Sequence, residues 1–213
     1  MMNVRESYVR ECTETVHMLA KEYLTSPFNV LEMFAGSGSI YTKGFVDFSE
    51  KIIGYELNKE LQAAFEQNIT NGQFIQANSI EKLMNDEFQR DLIDSNINII
   101  SIDNPLGQYN GDFFENFQIM DHIKNVIPLN QKSILCLNLV KTPYHPERHG
   151  EWINRRSEFF RDNGLNVNLD AAVNTYISLL ELQEIKILDY RAVLREKHEG
   201  IDYYYMLFVV VEG

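Results

Sequence analysis

The sequence predicts an α/β fold: a mainly parallel seven-stranded sheet with helices on both faces and an antiparallel hairpin at its C-terminal end. Three observations carry this. From residue 28 to residue 140, short apolar runs alternate with helix-patterned stretches, the mark of β-α-β units and so of parallel pairing. The first run passes straight into a glycine-rich turn, Ala35-Gly36-Ser37-Gly38. The last two β-rich runs, 185–195 and 203–211, are separated only by the polar segment 196–202, so they should pair antiparallel.

Taken in order, Val9, Cys12, Val16, Leu19 and Tyr23 recur at helical spacing over 6–24. Thr25-Ser26-Pro27 ends that helix, because the residue before proline avoids helical dihedrals. Residues 28–34 read as a buried strand and 51–56 as a second, followed by a helix that Asn58 caps and Asn71-Gly72 ends. Leu61, Ala64, Phe65 and Asn68 share one face of it. A third strand over 73–77, a helix over 80–88 and a fourth strand over 97–103 follow, the last stopped by Asn104-Pro105. Residues 112–126 read as helical and 133–140 as the fifth strand. Residues 141–183 read as an inserted loop, opening with Thr142-Pro143-Tyr144-His145-Pro146, and a covering helix over 171–183. With no internal repeat and no Gly/Ser/Pro-rich linker, 1–213 reads as one domain with a helical extension over 1–26.

Composition narrows the function classes. Apolar residues are 45% and charged residues 23%, which excludes a disordered or fibrous chain. Lys plus Arg is 19 against 31 Asp plus Glu, a net charge of −12, the wrong sign for holding a polyanion by bulk charge. A nucleic-acid partner must therefore be gripped locally or through another subunit. The two cysteines, Cys12 and Cys136, lack metal-ligand spacing and read as buried thiols. His145 and His149, four apart, have no third ligand in view, so no metal is expected. Tyr203-Tyr204-Tyr205 alternates across a strand and should pack the sheet. The apolar stretches 134–140 and 206–211 fall far short of the roughly 18 to 20 residues that cross a bilayer. Residues 1–14 carry charges in place of the apolar core of a secretory signal, so the expected location is cytoplasmic.

A strand, a Gly-x-Gly turn and a helix form a cradle for a nucleotide-like ligand, since glycine lets the backbone come close. The dinucleotide fingerprint needs a further glycine where Tyr41 stands, which disfavours NAD and FAD. A phosphate loop needs Gly-Lys-Ser/Thr, and Gly38 is followed by Ser39-Ile40. The stretch Val30-Leu31-Glu32-Met33-Phe34-Ala35-Gly36-Ser37-Gly38-Ser39-Ile40 instead resembles the S-adenosylmethionine loop of class I methyltransferases, in the variant with Phe-x-Gly-x-Gly. The resemblance spans roughly 28–211 and implies a Rossmann-like sheet.

It also implies site residues. The cofactor has no phosphate but carries an amino-acid end, so an acid and bare backbone suit it. Glu32 matches that acid, Phe34 a hydrophobic wall, and Ala35, Gly36 and Gly38 the backbone. In the family a second acid closes the next strand and bonds the ribose hydroxyls. Glu56, in Gly54-Tyr55-Glu56-Leu57-Asn58, lies 24 residues after Glu32, close to the roughly 20 of the analogous ribose-binding acid. Leu57 belongs to the same element. The family's adenine contact at the end of the third strand is matched by Gln76-Ala77-Asn78-Ser79, with Asn78 where many relatives have Asp; a turn-former role for Asn78 stands beside that contact.

The acceptor is read from Ser101-Ile102-Asp103-Asn104-Pro105-Leu106-Gly107-Gln108-Tyr109. It partly resembles the Asp/Asn-Pro-Pro-aromatic segment of enzymes that methylate exocyclic amines of bases, where the acid or amide oxygen orients the amine and the aromatic stacks on the base. By that resemblance Asp103, Asn104 and Pro105 are catalytic, with Tyr109 or Phe113 stacking; the segment is also a good turn sequence. Trp152, Arg155 and Arg156 sit in a local cluster of cations and could line a phosphate backbone, although interleaved Glu151 and Glu158 equally suit a solvated helix. The leading expectation is a methyltransferase acting on an exocyclic amine in DNA or RNA. The alternatives are a small-molecule or protein acceptor, or a catalytically silent cofactor-binding subunit of a modification complex.

Overall fold

A computed structural model describes residues 4–103, 107–109 and 112–213. In chain order the elements are α1 (Val4–Tyr23), β1 (Asn29–Glu32), β2 (Lys51–Glu56), α2 (Gln62–Asn68), β3 (Gly72–Gln76), α3 (Ser79–Met84), α4 (Gln89–Asp94), β4 (Ile99–Ile102), β5 (Gly107–Tyr109), β6 (Asp112–Phe114), β7 (Lys132–Val140), α5 (Gly150–Phe160), α6 (Leu169–Leu182), β8 (Lys186–His198) and β9 (Ile201–Glu212). Short 3-10 turns cover Thr42–Phe45, Lys59–Leu61 and Pro146–Arg148, and a longer 3-10 segment covers Asn116–Val126.

Seven strands form one sheet in the order β3-β2-β1-β4-β7-β9-β8. The first five pair in parallel, and β9 runs antiparallel to both β7 and β8. Strand periodicity explains how both faces are filled: Leu31, Ile100 and Leu135 point into one core layer, while their neighbours Val30, Ile99 and Ile134 point into the other. The second layer is closed by α1, whose Cys12, Val16, Leu19 and Ala20 are all buried. The first is closed by α3, α4, α6 and the 116–126 segment. Among the described residues no helix is long and apolar enough to cross a membrane.

The alternation expected from the sequence is present, with four differences. The glycine turn is followed by the 3-10 turn Thr42–Phe45 and not by a full helix. There α1 lies in backbone-close contact: a Cβ on Gly44 would run into Thr13. The helix expected over 80–88 stops at Met84, and a separate α4 follows Asp86, whose φ is +56°. The stretch 112–126 opens with β6, which pairs antiparallel with β5, and continues as a 3-10 helix. Its apolar spacing is helix-like, but Asn116 donates to the carbonyls of Ile102 and Asn138 at 3.0 Å each, tying the segment to β4 and β7. Finally, the inserted loop contains α5.

Candidate functional site

The carboxyl ends of β1 and β4 lie side by side, with Glu32 paired in register to Ser101. This is where the strand order changes direction, the place an open α/β sheet forms its crevice. After β1 the backbone stays on the sheet: the Met33 N–H donates to the Ser101 carbonyl at 2.9 Å and the Ala35 N–H to that of Tyr55 at 3.0 Å. It then reverses through Gly36 (φ +53°) and Gly38 (φ +67°), dihedrals that L side chains seldom adopt. Gly38 is needed twice over, since a Cβ there would also sit 2.6 Å from Ile69 Cγ1. Glu56, at the end of β2, fastens the turn by accepting from the N–H groups of Gly36 (3.0 Å) and Asn58 (2.8 Å).

Under the turn is a cavity of about 210 Å³ lined by Glu32, Phe34, the 35–38 backbone, Tyr41, Asp103 and Arg195. The two acids differ sharply. Asp103 receives the Arg195 guanidinium at 2.7 Å and the Asn138 amide at 3.1 Å. Glu32 is 1% exposed and neither of its oxygens completes a hydrogen bond. Burial raises its pKa to about 8, and the Asp103 charge adds to this. The Ser101 hydroxyl and the N–H groups of Phe34 and Asp103 pull the other way without closing a bond of full geometry. An orphaned buried carboxylate beside bare backbone is a receptor for a cation or a donor group. A wider cleft of about 550 Å³ shares Ser39 and Ile40 with this cavity and runs between α1 and the Thr42–Phe45 turn.

The other expected cofactor residues are arranged differently. Leu57 stands 66% exposed just beyond β2. The Asn78 side-chain oxygen accepts from the N–H groups of Ile80 (3.2 Å) and Glu81 (3.3 Å), so it acts as the N-cap of α3. The Ser79 hydroxyl donates to the Met33 carbonyl at 2.5 Å, bracing the strand that carries Glu32.

No family model matches the chain, and no curated protein matches it in sequence. Its likeness is to solved structures. The plantazolicin methyltransferase BamL, in complex with a triazolic desmethylPZN analog and SAH, aligns over 98% of this chain and 86% of its own, with TM-score 0.60 and 10% identity. The N-methyltransferase NodS from Bradyrhizobium japonicum WM9 aligns over 97% and 98%, with TM-score 0.55 and 9% identity. M. jannaschii TYW2 in complex with AdoMet aligns over 100% and 78%, with TM-score 0.54 and 12% identity. The chain has the methyltransferase fold. At such identity the likeness extends to the fold alone, so the chemistry has to come from the site.

Within the methyltransferase fold, the expected acceptor residues separate into four groups. Asp103 is at the cavity; Asn104 and Pro105 lie outside the described residues, as does the side chain of Tyr109, whose backbone forms part of β5. Trp152 and Arg156 correct the sequence reading: both are fully buried and available neither for stacking on a base nor for a phosphate backbone. Four apart on α5, they share the face that packs inward. There Arg156 binds Glu115 and the carbonyls of Val140 and Gly164, and Trp152 meets Phe113 edge-on at 5.4 Å. Arg155 is half-buried, 3.5 Å from Glu151. Arg195, Asn138 and Tyr41 were not singled out by the sequence. Among the described residues, no cluster of three His, Cys, Asp or Glu side chains suited to a metal is present.

Proposed function

We propose that the protein is an S-adenosylmethionine-dependent methyltransferase whose acceptor is an amine presented at the end of β4. One observation carries the reading: a buried Glu32 carboxyl whose oxygens have no hydrogen-bond partner faces a glycine turn that a second acid, Glu56, fastens from the next strand. The donor set fits the cofactor. Glu32 is suited to its ammonium, and Gly36 and Gly38 let it approach without a side chain in the way. Glu56 uses two acceptor positions on Gly36 and Asn58 and keeps others for two ribose hydroxyls.

When bound, S-adenosylmethionine supplies a methyl group activated on a sulfonium. Asp103 is fixed by Arg195 and Asn138 from two directions and offers a held oxygen lone pair to an incoming amine. Orienting the amine in line with the methyl group supplies most of the rate, and its proton leaves late, to solvent. In this reading Asn104 and Pro105 complete the acceptor contact, and the acceptor is an exocyclic base amine of DNA or RNA, gripped with the help of a partner chain. Burial of Trp152 and Arg156 favours a second reading, a small-molecule or peptide amine entering by the 550 Å³ cleft beside α1.

The test is calorimetric titration with S-adenosylmethionine and S-adenosylhomocysteine, with NAD as control, followed by labelled-methyl transfer to RNA, DNA and small amines. Saturable binding of the first two and inert NAD is the expected result. Failure of both to bind overturns the proposal, and label on small amines alone selects the second reading.

A further inference from the structure

Arg195 lies 92 residues after Asp103, on the terminal hairpin, yet it lines the same cavity. The pairing of β8 with β9 explains how. Leu194 is opposite Tyr205 and Glu196 opposite Tyr204, so Arg195 is the extra residue of a β-bulge. A bulge re-aims the side chain it carries. Here it turns Arg195 off the ladder and into the interior, where the residue is only 5% exposed and its guanidinium sits 6.0 Å from the Tyr41 ring. Its Nη2 serves Asp103 at 2.7 Å and its Nη1 approaches Glu196 at 3.5 Å, but its Nε is buried with no acceptor.

The cavity is thus lined by Glu32, a buried acid whose oxygens have no partner, and by the Asp103–Arg195 ion pair, whose guanidinium keeps one buried N–H, at Nε, without an acceptor. A lone orphaned acid suits any cation. An orphaned acid and an unused guanidinium N–H on one small cavity, flanked by backbone without side chains, suit a zwitterion, with the ammonium to Glu32 and the carboxylate to the Nε of Arg195 beside its bond to Asp103. We infer that Arg195 is the residue that reads the carboxylate of the ligand's amino-acid end, making the terminal hairpin a part of the binding site and a determinant of ligand choice. The inference rests on the cofactor reading above and adds to it a selectivity: ligands that keep the adenosine, the sulfur and the ammonium but lack the carboxylate are rejected.

The experiment compares S-adenosylhomocysteine with its decarboxylated counterpart, S-adenosyl-3-thiopropylamine, by calorimetry on the full chain. Wild type should prefer the carboxylate-bearing ligand by about 10- to 100-fold, the range of a charge-assisted bond made in a buried site. Arg195→Gln should bring the two ligands within about threefold of each other, chiefly by weakening the first. Because Arg195→Gln also leaves Asp103 without its cation, Arg195→Lys is measured beside it. Lysine keeps the charge but loses the planar fork, and the preference should fall at least about threefold. Equal binding of the two ligands to wild type overturns the inference with no variant needed, as does an undiminished preference in whichever variant folds. If wild type binds neither ligand, it is the cofactor reading itself that has failed.

Discussion

Glu32 and Asp103 end neighbouring strands of the same sheet, and their partners decide what each can do. Asp103 is neutralised by Arg195 and stays a fixed acceptor. Glu32 has no counter-charge, and its pKa of about 8 lies well above the roughly 4.3 of a carboxylate in an unfolded chain. Between those values the folded chain holds a proton that the unfolded chain has released, so stability contributed by the protonated acid is lost as pH rises through that window. In Glu32→Gln that slope should be absent. Melting curves of the ligand-free protein from about pH 5 to about pH 8 should show wild type losing ground to the variant as pH rises. Parallel curves would show that Glu32 is not titrating as a buried acid. Glu32, Gly36, Gly38 and Glu56 could be marked in the sequence because they match the loop and second acid of the family it resembles, and the structure gathers them around one turn. Arg195 was not, since its role depends on a bulge, which is a matter of register between β8 and β9 and leaves no mark on either strand alone.

At the scale of elements, strand and helix alternation was legible because the buried strands are near-continuous apolar runs. The β5–β6 hairpin was hidden, its strands being three residues each, too short for any period to register. The face of α5 was misread for a different reason: Arg156 is a cation in sequence but an interior residue in space. Glu115, which opens the 116–126 segment, meets it there, so one buried ion pair joins that segment to the inserted helix. Removing a single partner leaves the other charge stranded. Arg156→Met should therefore cost about 3–5 kcal/mol in denaturant unfolding, and adding Glu115→Leu should recover a large part of the loss. A double variant no more stable than the single one would mean that the bonds to Val140 and Gly164, not the charge pair, fasten α5.

For the molecule as a whole, a net charge of −12 governs what it can approach. With Trp152 and Arg156 inside, two of the three side chains of the 152–156 cluster expected to meet a nucleic acid are withdrawn from the surface. The chain alone should bind RNA or DNA no tighter than about 100 μM at physiological salt, the weak end of non-specific binding. Fluorescence anisotropy against salt concentration checks this; tight binding with a steep salt dependence would show that this chain supplies its own grip. The arrangement of the sheet also bears on how the protein is made. Strand β1, with Glu32, is synthesised early, whereas β9 must pair between β7 and β8 before Arg195 can reach Asp103. A nascent chain halted ahead of the hairpin would carry the glycine turn and both acids but not the cation that pairs with Asp103, so that ion pair forms only after the ribosome has delivered β8 and β9.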